Sequence, residues 1–521
     1  MECSSTFWNN TLGGTTTDLE IFRKEKKFVR EVRSTQKKYP KTPEPCSEEQ
    51  RNGVKYLEEY LKEEKESNRR QQFSFLVSKQ GHVWIDYVIL DIKNIKDDRI
   101  IIEIPRFVWG FKCNDKTAGS LIAQRSLRKK SWKILYDGFD EETESCQEKL
   151  SGNARLFSGI YYLREFVVVA HKDQPLHGDL DFVFNGVSAS SIVLKDFNTT
   201  QITSMWNTFA NTYNLKEIDF GGMDTSNVQI MTGCFLQSNM TEWDLTGWDT
   251  RSLVDISYGF YHNKDVKKIN LSGWNVEKLR NIESLFAQTY KVQEINTDGW
   301  KTSSLENISN VFENSMIKRL RVKHWQTGKV TQAAGAFSFL RKITTLKDIE
   351  EWDTSNMENI SEMFVECEKL KRIDLSRWNT GKVRNAKYLF NECKALKEVN
   401  LSGWDVRHVH TAKGMFQGCT ELKELDLSTW KTEGIANMAA FCAEATKLKR
   451  IIFGPEFYIG ETQNLNEAFE ECKSLVELDI SSWHTYNFPR MYRMFYQCNH
   501  KAMIRTRDVG IVDRFIHDIN Q

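Results

Sequence analysis

This chain of 521 residues has little that would place it in a familiar functional class. It has only 7 prolines, too few for long proline-rich linkers. No apolar run approaches the roughly 20 residues that a membrane-spanning helix needs. The opening MECSSTFWNNTLGG has neither a charged n-region nor an apolar h-region, which predicts no secretory signal. Charge of one sign is also missing. The 72 Lys and Arg against 71 Asp and Glu leave a net charge of +1, so nothing global draws the chain to nucleic acid or an anionic membrane. The 11 cysteines are an odd number with no C-x-x-C pair, which predicts mostly reduced thiols in a cytoplasm-like compartment. No Ser/His/Asp constellation, Walker loop or dinucleotide fingerprint occurs. Finally, the length is too great for one compact core, so several domains or an extended architecture are expected.

What the chain does have is a repeat. Trp248, Trp274, Trp300, Trp325, Trp352, Trp378, Trp404, Trp430 and Trp483 form a series that Phe197, Met223 and Phe457 complete, with every step 25 to 27 residues. A second series follows eleven or twelve residues behind and includes Phe209, Phe260, Phe364, Phe416 and Phe495. Each unit reads as a short strand, such as LKELDL at 422–427, followed by an S-x-W turn. A hydroxyl comes two places after the anchor, as in Thr354, Thr380, Thr432 and Thr485. Next, Met357, Ile360, Met363 and Phe364 suit one face of a short helix, with Ser355 and Glu358 as a capping box. One such unit cannot bury its own apolar face. Stacked units can, with tryptophan and phenylalanine as two aromatic ladders.

These residues resemble the BspA-type leucine-rich repeat, whose phrase is matched by Leu370, Ile373, Asp374, Leu375, Ser376, Trp378 and Thr380. It is matched again by Leu422, Leu425, Asp426, Leu427, Ser428, Trp430 and Thr432. The resemblance implies an α/β solenoid, a right-handed stack of about twelve repeats that binds protein. Proteins of that family are often bacterial surface proteins, and some are adhesins. The predicted organisation is a basic arm over 1–46, an α+β N-terminal domain over 47–190 that caps the stack, repeats over 191–507, and a capping helix over 508–521. Ile511, Val512, Phe515, Ile516 and Ile519 are expected on one face of that helix.

Chemistry inside the repeat is sparse. Cys367, Cys393, Cys419, Cys472 and Cys498 share one register position, but a line of thiols is not four convergent ligands, so they read as small turn residues and no metal or cofactor is expected. Asp374, Asn400, Asp426 and Asp479 share the outward strand position, with Arg321 interrupting their row. With Tyr458, in the irregular loop FGPEFYIGET, these are the candidate binding residues. A protein partner is therefore expected. Nucleic acid is a second possibility through the basic stretch 23–41, although no aromatic residues interleave it for base stacking.

Two N-terminal phrases look enzymatic. HGDLDFVFN, with His177, Asp179 and Asn185, is similar to a phosphotransferase catalytic loop, but the spacing is one residue too long. Asp86, Asp91 and Lys93 could form a metal-dependent nuclease site, or simply an exposed charged strand. The reading is a non-enzymatic recognition protein, cytoplasmic. The alternatives are a nuclease-bearing sensor-effector and a surface adhesin.

Overall fold

The structure is a computed structural model. It describes residues 47–66, 73–77, 82–88, 99–111, 163–432, 435–460, 462–483 and 489–521. Glu48 to Gln521 form one compact unit. The basic stretch 23–41, and Asp91, Lys93 and Thr485, lie outside the described residues.

The chain winds into a solenoid of about thirteen turns with little helix. Helices α1 (Glu48–Arg51) and α2 (Gly53–Glu66) come first. Strands β1 (Phe73–Val77) and β2 (Val83–Val88) then pair antiparallel. From there all pairing is parallel. Strands β3 (Arg99–Glu103), β5 (Leu163–Val169), β7 (Ala189–Lys195) and β9 (Glu217–Asp219) form one ladder. Strands β4 (Val108–Phe111), β6 (Pro175–Asp179) and β8 (Asn198–Ser204) continue β2 in the other. The parallel winding therefore begins well before the tryptophan repeat becomes visible. The early coils carry long strands whose sequences, such as LREFVVV, keep no tryptophan phrase.

Within the repeats, one side of most coils contributes a three- or four-residue strand. These are β10 (Glu242–Asp244), β11 (Lys268–Asn270), β12 (Glu294–Asn296), β13 (Arg372–Asp374), β14 (Glu398–Asn400), β15 (Glu424–Leu427), β16 (Arg450–Phe453), β17 (Glu477–Asp479) and β18 (Met503–Arg505). The register is strict, with Ile373 beside Val399 and Asp374 beside Asn400. The other side is a line of single-residue bridges from Ser204 to Arg490.

The segment expected to be a helix is not one. Around Ile360, Met363 and Phe364 the chain makes tight turns with Glu362 at φ 59° and Glu366 at φ 51°. Its amides bond to the next coil rather than along a helix: Ile360 N–H to Asn385 O at 3.1 Å, Glu362 to Lys387 O at 2.8 Å, Phe364 to Leu389 O at 3.0 Å. The pattern i, i+3, i+4 buries the same three side chains in either geometry, so spacing could not separate them. Left-handed residues cost about 1–2 kcal/mol each, a cost that inter-coil bonds and complete burial of Met363 and Phe364 offset. The capping box is absent too. Ser355 N–H donates to Asp353 Oδ1 at 3.1 Å and Glu358 N–H to Thr331 O at 2.9 Å.

The two aromatic ladders are present. Trp378 and Trp404 stack at 6.4 Å and Trp404 and Trp430 at 6.1 Å. Phe337, Phe364, Phe390 and Phe416 stack at 5.3–5.8 Å. From Trp274 to Trp430 each buried indole N–H donates backward by one coil, Trp404 Nε1 to Leu375 O at 2.9 Å for example, whereas the buried indole N–H groups of Trp243 and Trp483 have no partner among the described residues. The far end is closed by α3 (Val509–Ile519). Phe515 meets Phe495 edge-on at 5.3 Å, and Asp518 Oδ2 accepts the Phe495 amide at 3.0 Å. The carboxylate thus takes the place of the next coil's carbonyl, since Phe469 N–H donates to Met494 O in the coil before. The inward face of α3 is Ile511, Phe515 and Asp518; Val512 and Ile516 point outward, contrary to the expected single face. At about 100° per residue, 511, 515 and 518 fall within about 60° of one another, whereas 512 and 516 lie about 100° and 140° round from 511.

Candidate binding face

Most side chains that looked chemical in the sequence are used by the stack itself. The cysteines are the clearest case. The described ones are buried free thiols, and burial pushes the Cys367 thiol up to about 12. Cys367, Cys393 and Cys419 donate Sγ–H to the carbonyls of Phe337, Phe364 and Phe390 at 3.1–3.2 Å, one coil back each time. They are short-range donors at a tight turn, and among the described residues no cluster could hold a metal ion. The threonines do the reverse. Thr354, Thr380 and Thr432 donate to Asn379 O, Asp405 O and Tyr458 O in the following coil. Their hydroxyls tie neighbours together and cap no helix.

The acid and amide residues form three rows of turns in which a side-chain oxygen accepts the amide two residues on. The first row holds the predicted site residues. Asp374 Oδ1 accepts Ser376 N–H at 3.0 Å, Asn400 accepts Ser402 at 3.2 Å, Asp426 accepts Ser428 at 2.9 Å and Asp479 accepts Ser481 at 3.0 Å. A second row uses Asp353, Asn379 and Asp405. A third uses Asp255, Asn281, Asn307, Asn359, Asn385 and Asn437 on the bridge side. Sequence reasoning passed over this third row, although asparagines at 281, 307, 359 and 385 keep the repeat spacing.

The structure gathers Asp374, Asn400, Asp426 and Asp479 on one face, but with unequal freedom. Asp374 Oδ2 accepts Asn400 Nδ2 at 3.1 Å, and Asp479 Oδ2 accepts Arg505 Nη1 at 3.3 Å. Hydrogen bonds from Ser376 and Asn400 hold the Asp374 carboxyl below its ordinary range against the opposing pull of its burial. Asp426 has its second oxygen outward, with no other described partner. Arg321 is exposed and stands 4.0 Å from Asp298. It sits where the strands lapse: between β12 and β13 the Val322 amide donates to the Asp348 side chain at 3.2 Å instead of to a strand carbonyl. Tyr458 is 51% exposed, with its backbone N–H on Thr432 Oγ1. Nearby, Arg450, Ile452, Phe453, Pro455, Asp479 and Arg505 line a shallow groove.

Beside this face runs a row that the sequence reading missed. Lys371, Lys397, Lys423 and Lys449 each stand immediately before a strand, on four successive coils, and all are exposed. The signal was the L-K pair after each turn, at 370, 396, 422 and 448.

The side chains of the first enzyme-like phrase serve separate contacts. His177 is buried and stacks on Trp109 at 3.9 Å, with His82 on the other side of the indole at 3.7 Å. Asp179 accepts Thr203 Oγ1 at 3.2 Å, and Asn185 Nδ2 donates to Asn207 O at 3.3 Å. Each serves a different inter-coil contact. Asp86 lies on β2, and its proposed companions Asp91 and Lys93 are outside the described residues. No described helix is long and apolar enough to cross a membrane.

Comparison with solved structures finds leucine-rich-repeat proteins. A leucine-rich repeat protein from Bacteroides ovatus is 12% identical, with TM-score 0.42, over 84% of this chain and 99% of that one. A leucine rich cell surface protein from Faecalibacterium prausnitzii is 15% identical, with TM-score 0.37, over 80% and 94%. The pneumococcal vaccine antigen PcpA is 14% identical, with TM-score 0.40, over 86% and 97%. No curated protein matches the chain. The repeat itself decides the family. One family model matches in overlapping runs over 178–296, 231–346, 287–399, 336–454 and 419–506. With its BspA-like leucine-rich repeats of about 26 residues, the chain belongs to the DUF285 family, described as Mycoplasma protein of unknown function.

Proposed function

We propose that the protein is a non-enzymatic recognition module that binds another protein across its outward strand face. The observation that carries this reading is a division of labour. Cysteine, threonine, tryptophan and most asparagine side chains are engaged between coils. The outward strand positions vary in charge from coil to coil while held in fixed register. A long face of that kind suits recognition by many modest contacts around a few stronger ones. Asp374, Asn400, Asp426, Asp479, Arg321 and Tyr458 are the proposed contacts, with Asp426, Arg321 and Tyr458 the most open of them.

Capture of a partner by immobilised full-length protein, followed by hydrogen exchange of the complex, tests the reading. Protection is expected at strand residues between 372 and 505 and in the 453–460 loop. Protection confined to the turns on the bridge side would overturn it.

A further inference from the structure

The lysine row has no structural task in the stack. Lys371, Lys397, Lys423 and Lys449 sit at one register position, and their backbones bond in line: Lys397 N–H to Lys371 O at 2.9 Å and Lys449 N–H to Lys423 O at 2.8 Å. None of the four ammonium groups forms an ion pair with a described residue. Other lysines of these coils do: Lys394 lies 3.7 Å from Glu368, and Lys447 pairs with Glu421. The row's field reaches its surroundings, since Glu421 is held below its ordinary range by Lys447 first and by Lys397 and Lys423 beyond it. Like charges stacked on adjacent strands oppose folding. Four in succession amount to a cost that stacking does not require, whereas the neighbouring Arg372 is paired with Glu398 at 3.9 Å and Arg450 lies in register beside Glu424.

Geometry narrows the ligand. Strands lie about 4.8 Å apart, so the row spans about 14 Å. In an extended peptide, side chains on one edge recur about every 6.8 Å, and three acidic residues at alternate positions also span about 14 Å. No aromatic side chain stands in the row to stack bases, so single-stranded nucleic acid is disfavoured. Lysine offers point charges rather than a planar fork, which suits carboxylates arriving at varied angles. From this match we infer that the lysine row is a docking strip for an extended acidic segment of a protein partner, lying along the stacking direction. The inference rests on the protein-binding reading above and names the chemistry of one part of that face. Glu398 and Glu424 border the middle of the strip and set a limit on how tightly it holds an acidic chain.

Fluorescence anisotropy of the full chain with a labelled peptide of alternating glutamate and serine, six glutamates long, tests it. The Lys397→Glu/Lys423→Glu variant is expected to weaken binding at least tenfold. Glu398→Gln/Glu424→Gln is expected to tighten it severalfold, an effect that loss of folding could not mimic. Lys216→Glu/Lys267→Glu, at the same register on isolated coils, is expected to leave affinity within twofold. Raising the salt concentration should weaken the wild type more than the Lys397→Glu/Lys423→Glu variant. Equal loss in the two lysine variants, unchanged binding in the first, or tighter binding of an oligouridylate than of the peptide would each overturn the inference. If the peptide fails to bind while a captured protein still protects strand residues 372–505, the docking strip is wrong and the protein-binding reading stands.

Discussion

At the scale of single residues, the repeat phrase is a set of inter-coil donors and acceptors. Thr380 is the simplest test. It is buried, and its hydroxyl donates to Asp405 O and accepts the Asp405 amide at 2.8 Å. Thr380→Val keeps the shape and orphans both groups, so a loss of about 1–3 kcal/mol is expected in denaturant unfolding. Two titrating residues give opposite pH signatures. Burial lowers His177 to about 4, below its unfolded value, so the unfolded chain binds the extra proton first. Its stability contribution is complete above pH 6.5 and falls as pH drops toward 4. Burial first, and Glu362 second, raise Glu313 to about 7. There the native state keeps the proton longer, so stability falls as pH rises from 4.5 toward 7. Melting temperatures of Glu313→Gln between pH 4.5 and 7 should lose that decline and expose the rise due to His177; His177→Phe should do the converse. Identical profiles in wild type and both variants would contradict the assignment.

At the scale of the element, each coil is two tight sides joined by turns, and both kinds of turn can be tested. Gly414 has φ 58°, and a Cβ there would stand 2.2 Å from the Tyr388 ring of the preceding coil. Gly414→Ala is therefore expected to destabilise by about 1–3 kcal/mol, from left-handed strain and overpacking together. The cap is the other element with a definite chemical role. Asp518→Ala removes the acceptor for the Phe495 amide and the partner of Arg514, at 3.2 Å. Early hydrogen exchange at Phe495, before global unfolding, is the expected sign. The element scale is also where the sequence was least legible. Buried strand positions were plain from alternation, as in Leu425 and Leu427 around Asp426. The Met-Phe segment was not, because Met363 and Phe364 are apolar for burial and the two left-handed residues beside them, Glu362 and Glu366, are ordinary glutamates. Nothing in a glutamate announces positive φ. The long strand β5 was read as part of the N-terminal α+β domain, because its coil lacks the tryptophan anchor by which the others were counted.

At the scale of the whole molecule, stability is shared between neighbouring coils, and recognition is left to what stacking does not use. Trp404 stacks between Trp378 and Trp430 and is 3% exposed. Trp404→Ala should cost about 3–5 kcal/mol and disturb its neighbours before distant coils, as nearest-neighbour coupling requires. The solenoid was legible because two aromatic series keep phase over some three hundred residues. The candidate face was legible in part. Asp374 and its equivalents stood out as an outward row, but their main-chain duty in the turns did not show, because aspartate two residues before serine fits both an exposed ligand contact and a local turn. The account's central claim is that recognition lies on the outward strand face. The most direct measurement is the affinity of a captured protein partner for wild type, for Asp426→Lys/Tyr458→Ala on that face, and for Lys413→Glu on the bridge side. The account predicts at least a tenfold loss for the first variant, with its melting temperature retained, and none for the second. A loss confined to Lys413→Glu, with Asp426→Lys/Tyr458→Ala binding like wild type, would contradict it.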